Sequence, residues 1–181
     1  MLFQKIIISA SILTLSSLPS FGDLIAGLKF GDSRETVENK LNKSPLADAN
    51  ITKNLFGRTG LNGAFKTTKK LDNLQYSIFY DWDNNDKLKH LNLHSESIPG
   101  PEFKGQLKES WSYLTNFLSS IHGKAQNAAN YPSKNQVAMD AIYFTHEWKT
   151  DTGYLYMGPG LNKNGYTLVM TFTKTPLTSS E

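Results

Sequence analysis

The 181-residue chain contains no cysteine. That removes a disulfide framework, a thiol nucleophile, a cysteine-held metal and a lipid-modified N-terminal cysteine from consideration. Charge of one sign is also lacking. Lys and Arg number 19 against 16 Asp and Glu, for a formal net charge of +3. This is too small an excess to expect nucleic acid or an anionic membrane as a partner. Beyond the N-terminus no apolar run is long enough to span a bilayer. Two common catalytic signatures are missing as well: a Gly-x-Ser-x-Gly elbow, and a phosphate-cradling Gly-rich loop ahead of a helix.

What is present begins with a leader. Lys5 supplies a positive charge, and Ile6 to Leu18 form an apolar stretch diluted by Ser9, Ser11, Thr14, Ser16 and Ser17. Pro19 follows, then Ser20-Phe21-Gly22, with small residues at the two positions signal peptidase reads. The pattern predicts a secretory signal peptide over residues 1–22, cut after Gly22. A mature single domain over 23–181 and a periplasmic or secreted destination follow. Export without disulfides fits a bacterial source better than a eukaryotic one.

Two helices are predicted. In the first, Asp32 is the expected cap, with Glu35 three residues on, and Val37 and Leu41 form its apolar stripe before Ser44-Pro45 ends it. In the second, Phe103, Leu107, Trp111, Leu114, Leu118 and Ile121 recur at helical spacing, and Gly123 suits the stop.

The remaining regular segments read as strands. Leu74, Tyr76, Ile78, Tyr80 and Trp82 alternate with Gln75, Ser77, Phe79 and Asp81, the run Asp83-Asn84-Asn85-Asp86 turns the chain, and Leu88 to His94 returns. A turn centred on Asn84-Asn85 sets Ile78 opposite Leu91 and Tyr76 opposite Leu93. Farther on, Ile142, Phe144, His146 and Trp148 alternate with Tyr143, Thr145, Glu147 and Lys149. The turn at 150–153 sets Trp148 opposite Leu155 and His146 opposite Met157. Asn164-Gly165 reads as a hairpin turn, with Leu161 opposite Leu168 and Met157 opposite Phe172. Residues 57–71 are left as either a strand pair or a loop, and 127–136 as a polar linker. The fold class is therefore α+β: an antiparallel sheet with one long and one short helix packed on one face. Helix-then-strands occurs in both halves, and Asp81-Trp82 and Glu147-Trp148 each precede a polar turn. These features suggest a diverged tandem repeat, with half-repeats 32–98 and 101–174.

The run Leu28-Lys29-Phe30-Gly31-Asp32-Ser33-Arg34-Glu35-Thr36-Val37, then Phe79-Tyr80-Asp81-Trp82 through Lys87-Leu88, a long helix and Glu147-Trp148, resembles a group of exported bacterial helix-plus-antiparallel-sheet modules. The beta-lactamase inhibitor protein and the small outer-membrane assembly lipoprotein share that architecture. The chain departs from the lipoprotein in having no anchoring cysteine. The resemblance implies a non-catalytic protein-binding module.

Each group that could carry chemistry has a plainer structural explanation. Asp81, Asp83 and Asn85 match the start of a calcium loop, but Asp86 stands where Gly is needed and Asn92 where Glu is needed. His90 and His94 lie roughly 13 Å apart on an extended strand, too far to share a zinc ion. His146-Glu147 opens like a zinc-protease motif, but Thr150 stands at the second histidine position. His146 is expected in the core instead. No cofactor and no metal are expected. The expected function is an exported binding module whose partner is another exported or envelope protein. The binding face should carry Tyr143, Tyr154, Tyr156, Glu147 and Lys149, with Thr145, Thr171 and Thr173 beside them, on the side of the sheet opposite the core. The alternative is a small cell-wall or glycan hydrolase with paired carboxylates drawn from Asp81, Asp83, Glu96, Glu102, Asp140 and Glu147.

Overall fold

Ser33, rather than Asp32, caps the first helix in the computed structural model, which describes residues 25–50 and 61–177. Helix α1 (Arg34–Lys43) starts with the Ser33 hydroxyl accepting from Thr36 N–H, and it buries Val37 and Leu41. Asp32 is drawn off elsewhere: its carboxylate accepts from Lys29 N–H at 2.8 Å and pairs with Lys40 at 2.7 Å. The predicted leader and its cleavage point lie outside the described residues, as do positions 57–60 of the segment left open.

Among the described residues nine antiparallel strands make one sheet. They are β1 (Ala47–Ala49), β2 (Phe65–Thr67), β3 (Tyr76–Trp82), β4 (Leu88–Ser95), β5 (Asn127–Ala128), β6 (Ala141–Ile142), β7 (His146–Lys149), β8 (Tyr154–Asn162) and β9 (Gly165–Thr173). Their order is β1-β2-β3-β4-β9-β8-β7-β5, with β6 also on β8. The segment expected to be a polar linker thus contributes β5 and a capped 3-10 turn at Lys134–Gln136. Helix α2 (Gln106–His122) follows a 3-10 turn at Gly100–Phe103 and ends at Gly123, whose φ of 79° needs no side chain in the way. Leu107, Leu114 and Leu118 of α2 join Val37 and Leu41 of α1 in one apolar cluster with the sheet, so both helices cover the same face. Phe103 is buried in the preceding turn, while Ile121, the last residue of the predicted stripe, is 38% exposed.

The inner face is built in rows across the strands. Tyr80, Leu91, Phe172, Leu155 and Trp148 stand opposite one another in sequence, and beside them run Ile78, Leu93, Met170, Met157 and His146. The β7–β8 register is the expected one. The other two hairpins are each shifted by two residues. Ile78 opposes Leu93 rather than Leu91, because a bulge at Asp81/Trp82 and a left-handed Asp86 (φ 55°) lengthen the turn. Asp83 Oδ1 organises that turn, accepting from Asn85 and Lys87 N–H. In the last hairpin the loop is Lys163-Asn164, so Leu161 opposes Tyr166 and Met157 opposes Met170. Gly165 sits at the base of the hairpin, where a Cβ would lie 2.7 Å from the Ile98 carbonyl oxygen. A shift of two preserves which face each side chain takes, so the buried set survives both changes.

Among the described residues each half runs as a helix followed by antiparallel strands, β1–β4 in the first and β5–β9 in the second, and the halves abut through their last strands, β4 and β9. The two tryptophans are not in matching places. Trp82 ends the strand next to the central β4, whereas Trp148 is the next-to-last residue of β7, one strand farther from the centre.

Two core phenols are left unmatched. The hydroxyls of Tyr76 and Tyr80 are buried with no hydrogen-bond partner among the described residues, and burial pushes both phenols well above their usual pKa. An unmatched buried hydroxyl is destabilising. Tyr80→Phe should therefore raise the unfolding free energy by about 1 kcal/mol. A lower urea midpoint in that variant would show that the hydroxyl has a partner.

Candidate functional site

Among the described residues no helix covers the other face of the sheet, and its side chains also fall in rows. One row runs Phe79, Asn92, Thr171, Tyr156, Glu147 and Asn127 across β3, β4, β9, β8, β7 and β5. The next runs Asp81, His90, Thr173, Tyr154 and Lys149. Alternation in β3, β4, β8 and β9 puts these residues outward because their neighbours form the core.

Hydrogen bonds knit the rows together. Asp81 Oδ2 accepts from His90 Nδ1 at 3.3 Å and from Asn92 Nδ2 at 3.1 Å, and Asn92 Oδ1 accepts from the Thr171 hydroxyl at 2.7 Å. The His90 bond, followed by the Asn92 bond, outweighs partial burial and holds the Asp81 carboxyl below its ordinary pKa. Asp81 is thereby kept ionised, the reverse of what a proton-donating acid requires. At the other end Glu147 accepts from Asn127 Nδ2 at 2.5 Å, and the Lys149 ammonium lies 3.9 Å over the Tyr154 ring. Asp81 and Glu147 sit on strands four places apart in the sheet, which is about 19 Å at ordinary strand spacing. Carboxylate pairs in glycoside hydrolysis stand at roughly 5–9.5 Å.

Four of the five expected binding residues gather here. Tyr154 and Tyr156 stack at 6.5 Å between centroids, with Lys149 and Glu147 opposite them. Tyr156, however, is only 7% exposed: its hydroxyl accepts from Leu177 N–H as the chain beyond β9 folds over it. Thr171 and Thr173 are buried too. Tyr143 does not join the face, because it packs against the apolar core. Phe144 takes the outer position, its ring 5.5 Å from that of Tyr156. The expected alternation fails between β6 and β7, where residues 143–145 are not strand. Thr145 is likewise turned inward and accepts from the Trp111 indole N–H at 2.8 Å. Phe79, outward in the expected β3 alternation but not among the expected binding residues, also stands on this face, its ring 4.8 Å from that of His94.

His146 is a core residue as expected, with its ring stacked on Trp148 at 5.3 Å and Nδ1 beside the Thr145 hydroxyl. His90 and His94 fall in different rows, and among the described residues no group of three or more His, Cys, Asp or Glu is placed to hold a metal ion. Burial lowers the pKa of His94, against a weaker opposing effect of Asp81, and also lowers those of His122 and His146. The unfolded chain therefore takes up these protons first. The stability they contribute is present above their unfolded pKa of about 6.5 and is lost as pH falls through and below it. The urea midpoint should thus drop between pH 7.5 and pH 5, and less steeply in a His94→Gln, His146→Gln double variant. A midpoint that is flat over that window in the natural chain would contradict the burial of these rings.

No family model, no curated protein and no solved structure matches this chain.

Proposed function

We propose that this is an exported, non-catalytic binding module that engages another exported or envelope protein through the outer face of its sheet. The observation that carries the reading is the set of aromatic and charged side chains on that face. Among the described residues helices lie on one side of the sheet, while the other presents half-buried Phe79, Phe144 and Tyr154 among Asp81, His90, Glu147 and Lys149. Fixed aromatic surface with a charged rim is the composition of a protein interface rather than of a simply solvated sheet. The Lys149 contact and the Tyr156 stack fix the Tyr154 ring, so ordering it on binding costs little. The leader-like N-terminus supports export, and the helix-then-strands order common to the two halves supports descent from a duplicated helix-plus-sheet unit.

Affinity capture from an envelope fraction with the mature chain should return a partner. Tyr154→Ala should then weaken that complex by about 1–3 kcal/mol, as for a central aromatic anchor, with the urea midpoint little changed. Tyr156→Ala is not an equivalent test, since its burial under Leu177 makes a loss of stability the expected result. A Tyr154→Ala chain that holds the partner as tightly as the natural one would place the interface elsewhere.

A further inference from the structure

The helix-covered side of the sheet is not fully filled. Between α2 and the β2 side of the fold lies a half-open cavity of about 200 Å³, floored by Leu93, Met170 and Phe172 of the central strands. Leu114, Phe117 and Leu118 of α2 form one wall. Thr67, Leu71 and Lys69 stand on the other, with Leu46, 41% exposed, at the surface. An apolar cavity of about 150 Å³ stays dry and takes up a benzene-sized guest, so this one has room for a short hydrocarbon chain. Its polar lining is largely committed: Thr67 Oγ1 accepts from Gln75 Nε2 and Tyr76 N–H. Lys69 differs. It forms no ion pair among the described residues, whereas its neighbour Lys70 lies 3.6 Å from Glu96.

We propose that this cavity is a binding site for the acyl end of a single-chain anionic amphiphile, its tail on Leu93, Leu114 and Met170 and its carboxylate at Lys69. The tail gains by leaving water for a largely apolar surface. The head keeps its solvation at the rim and gains a charge-assisted contact. A neutral guest would use the cavity but not the lysine. The site lies on the opposite side of the sheet from the proposed protein-binding face, so the two can be tested separately.

Titration of the mature chain with octanoate and with octanol, followed by calorimetry and by methyl NMR, tests the assignment. Both ligands should bind, octanoate more tightly, with shifts concentrated on Leu93, Leu114, Leu118 and Met170 and little change at Leu155. Lys69→Gln should weaken octanoate by about tenfold, the loss of one charge-assisted contact, and leave octanol unchanged. Leu114→Phe, which fills the space, should remove binding of both. Absence of octanoate binding below its micelle concentration would overturn the proposal. So would shifts spread over the outer face, an octanoate affinity indifferent to Lys69→Gln, or full binding by a Leu114→Phe chain that retains its folded spectrum. Should Leu114→Phe fail to fold, the NMR map and the Lys69→Gln comparison decide the matter.

Discussion

Trp148→Ala should lower the unfolding free energy by about 3–5 kcal/mol, the usual cost of removing a buried tryptophan. The side chain is fully buried and heads the residues of largest buried volume. It is fixed on three sides. Leu155 opposes it across β7 and β8, the His146 ring stacks on it, and its indole N–H donates to Ser119 Oγ of α2 at 3.3 Å. Truncation would remove apolar contact and leave the space between helix and sheet unfilled, and neither element can close in without shifting the strand rows. Trp148→Phe keeps most of the volume and should cost clearly less. Denaturant unfolding followed by far-UV circular dichroism separates the two. A loss below about 1 kcal/mol for Trp148→Ala would mean that the seam between α2 and β7 is not part of the core.

Gly158→Ala should cost about 3 kcal/mol or more, the upper range for forcing an atom into packed structure. An added Cβ would lie 1.9 Å from the Tyr143 carbonyl oxygen and 2.8 Å from Phe144 Cα. Both obstacles are backbone, so no rotamer change relieves the clash. The segment is also tied down on either side, by Tyr143 N–H to the Pro159 carbonyl and Thr145 N–H to the Met157 carbonyl. Elsewhere in a strand, exchanging Gly for Ala is favourable by roughly 0.5–1 kcal/mol, so the close crossing should reverse the usual sign. Gly160→Ala is the control. Its nearest obstacle is 3.3 Å away, at the Ala141 carbonyl oxygen, and its effect should be much smaller. Equal effects at the two positions would show that residues 143–145 do not cross β8 so closely. Because Phe144 reaches the outer face on this segment, Gly158→Ala should also disturb the Phe144–Tyr156 contact.

The α+β class, the long and short helices on one face, and the division of most side chains between core and surface are legible in the residues alone. Periods of 3.6 and of two are local, and each apolar side chain on such a period gains by the same burial wherever its strand is placed. That is why Ile78, Leu91, Leu155 and Met157 read as core even where the expected hairpin register is off by two. The tertiary structure alone decided the strand order, with β4 against β9 at the centre, because antiparallel pairing between distant segments leaves no trace in local periodicity. It also decided the candidate face. Tyr143 and Thr145 turn inward and Phe144 outward because close passage over Gly158 breaks the alternation. Tyr156 is covered because the chain beyond Thr173 returns across it. The apolar cavity is likewise a product of packing: each residue lining it reads in sequence as ordinary core or loop, and only the spacing of α2 from the β2 side leaves the room.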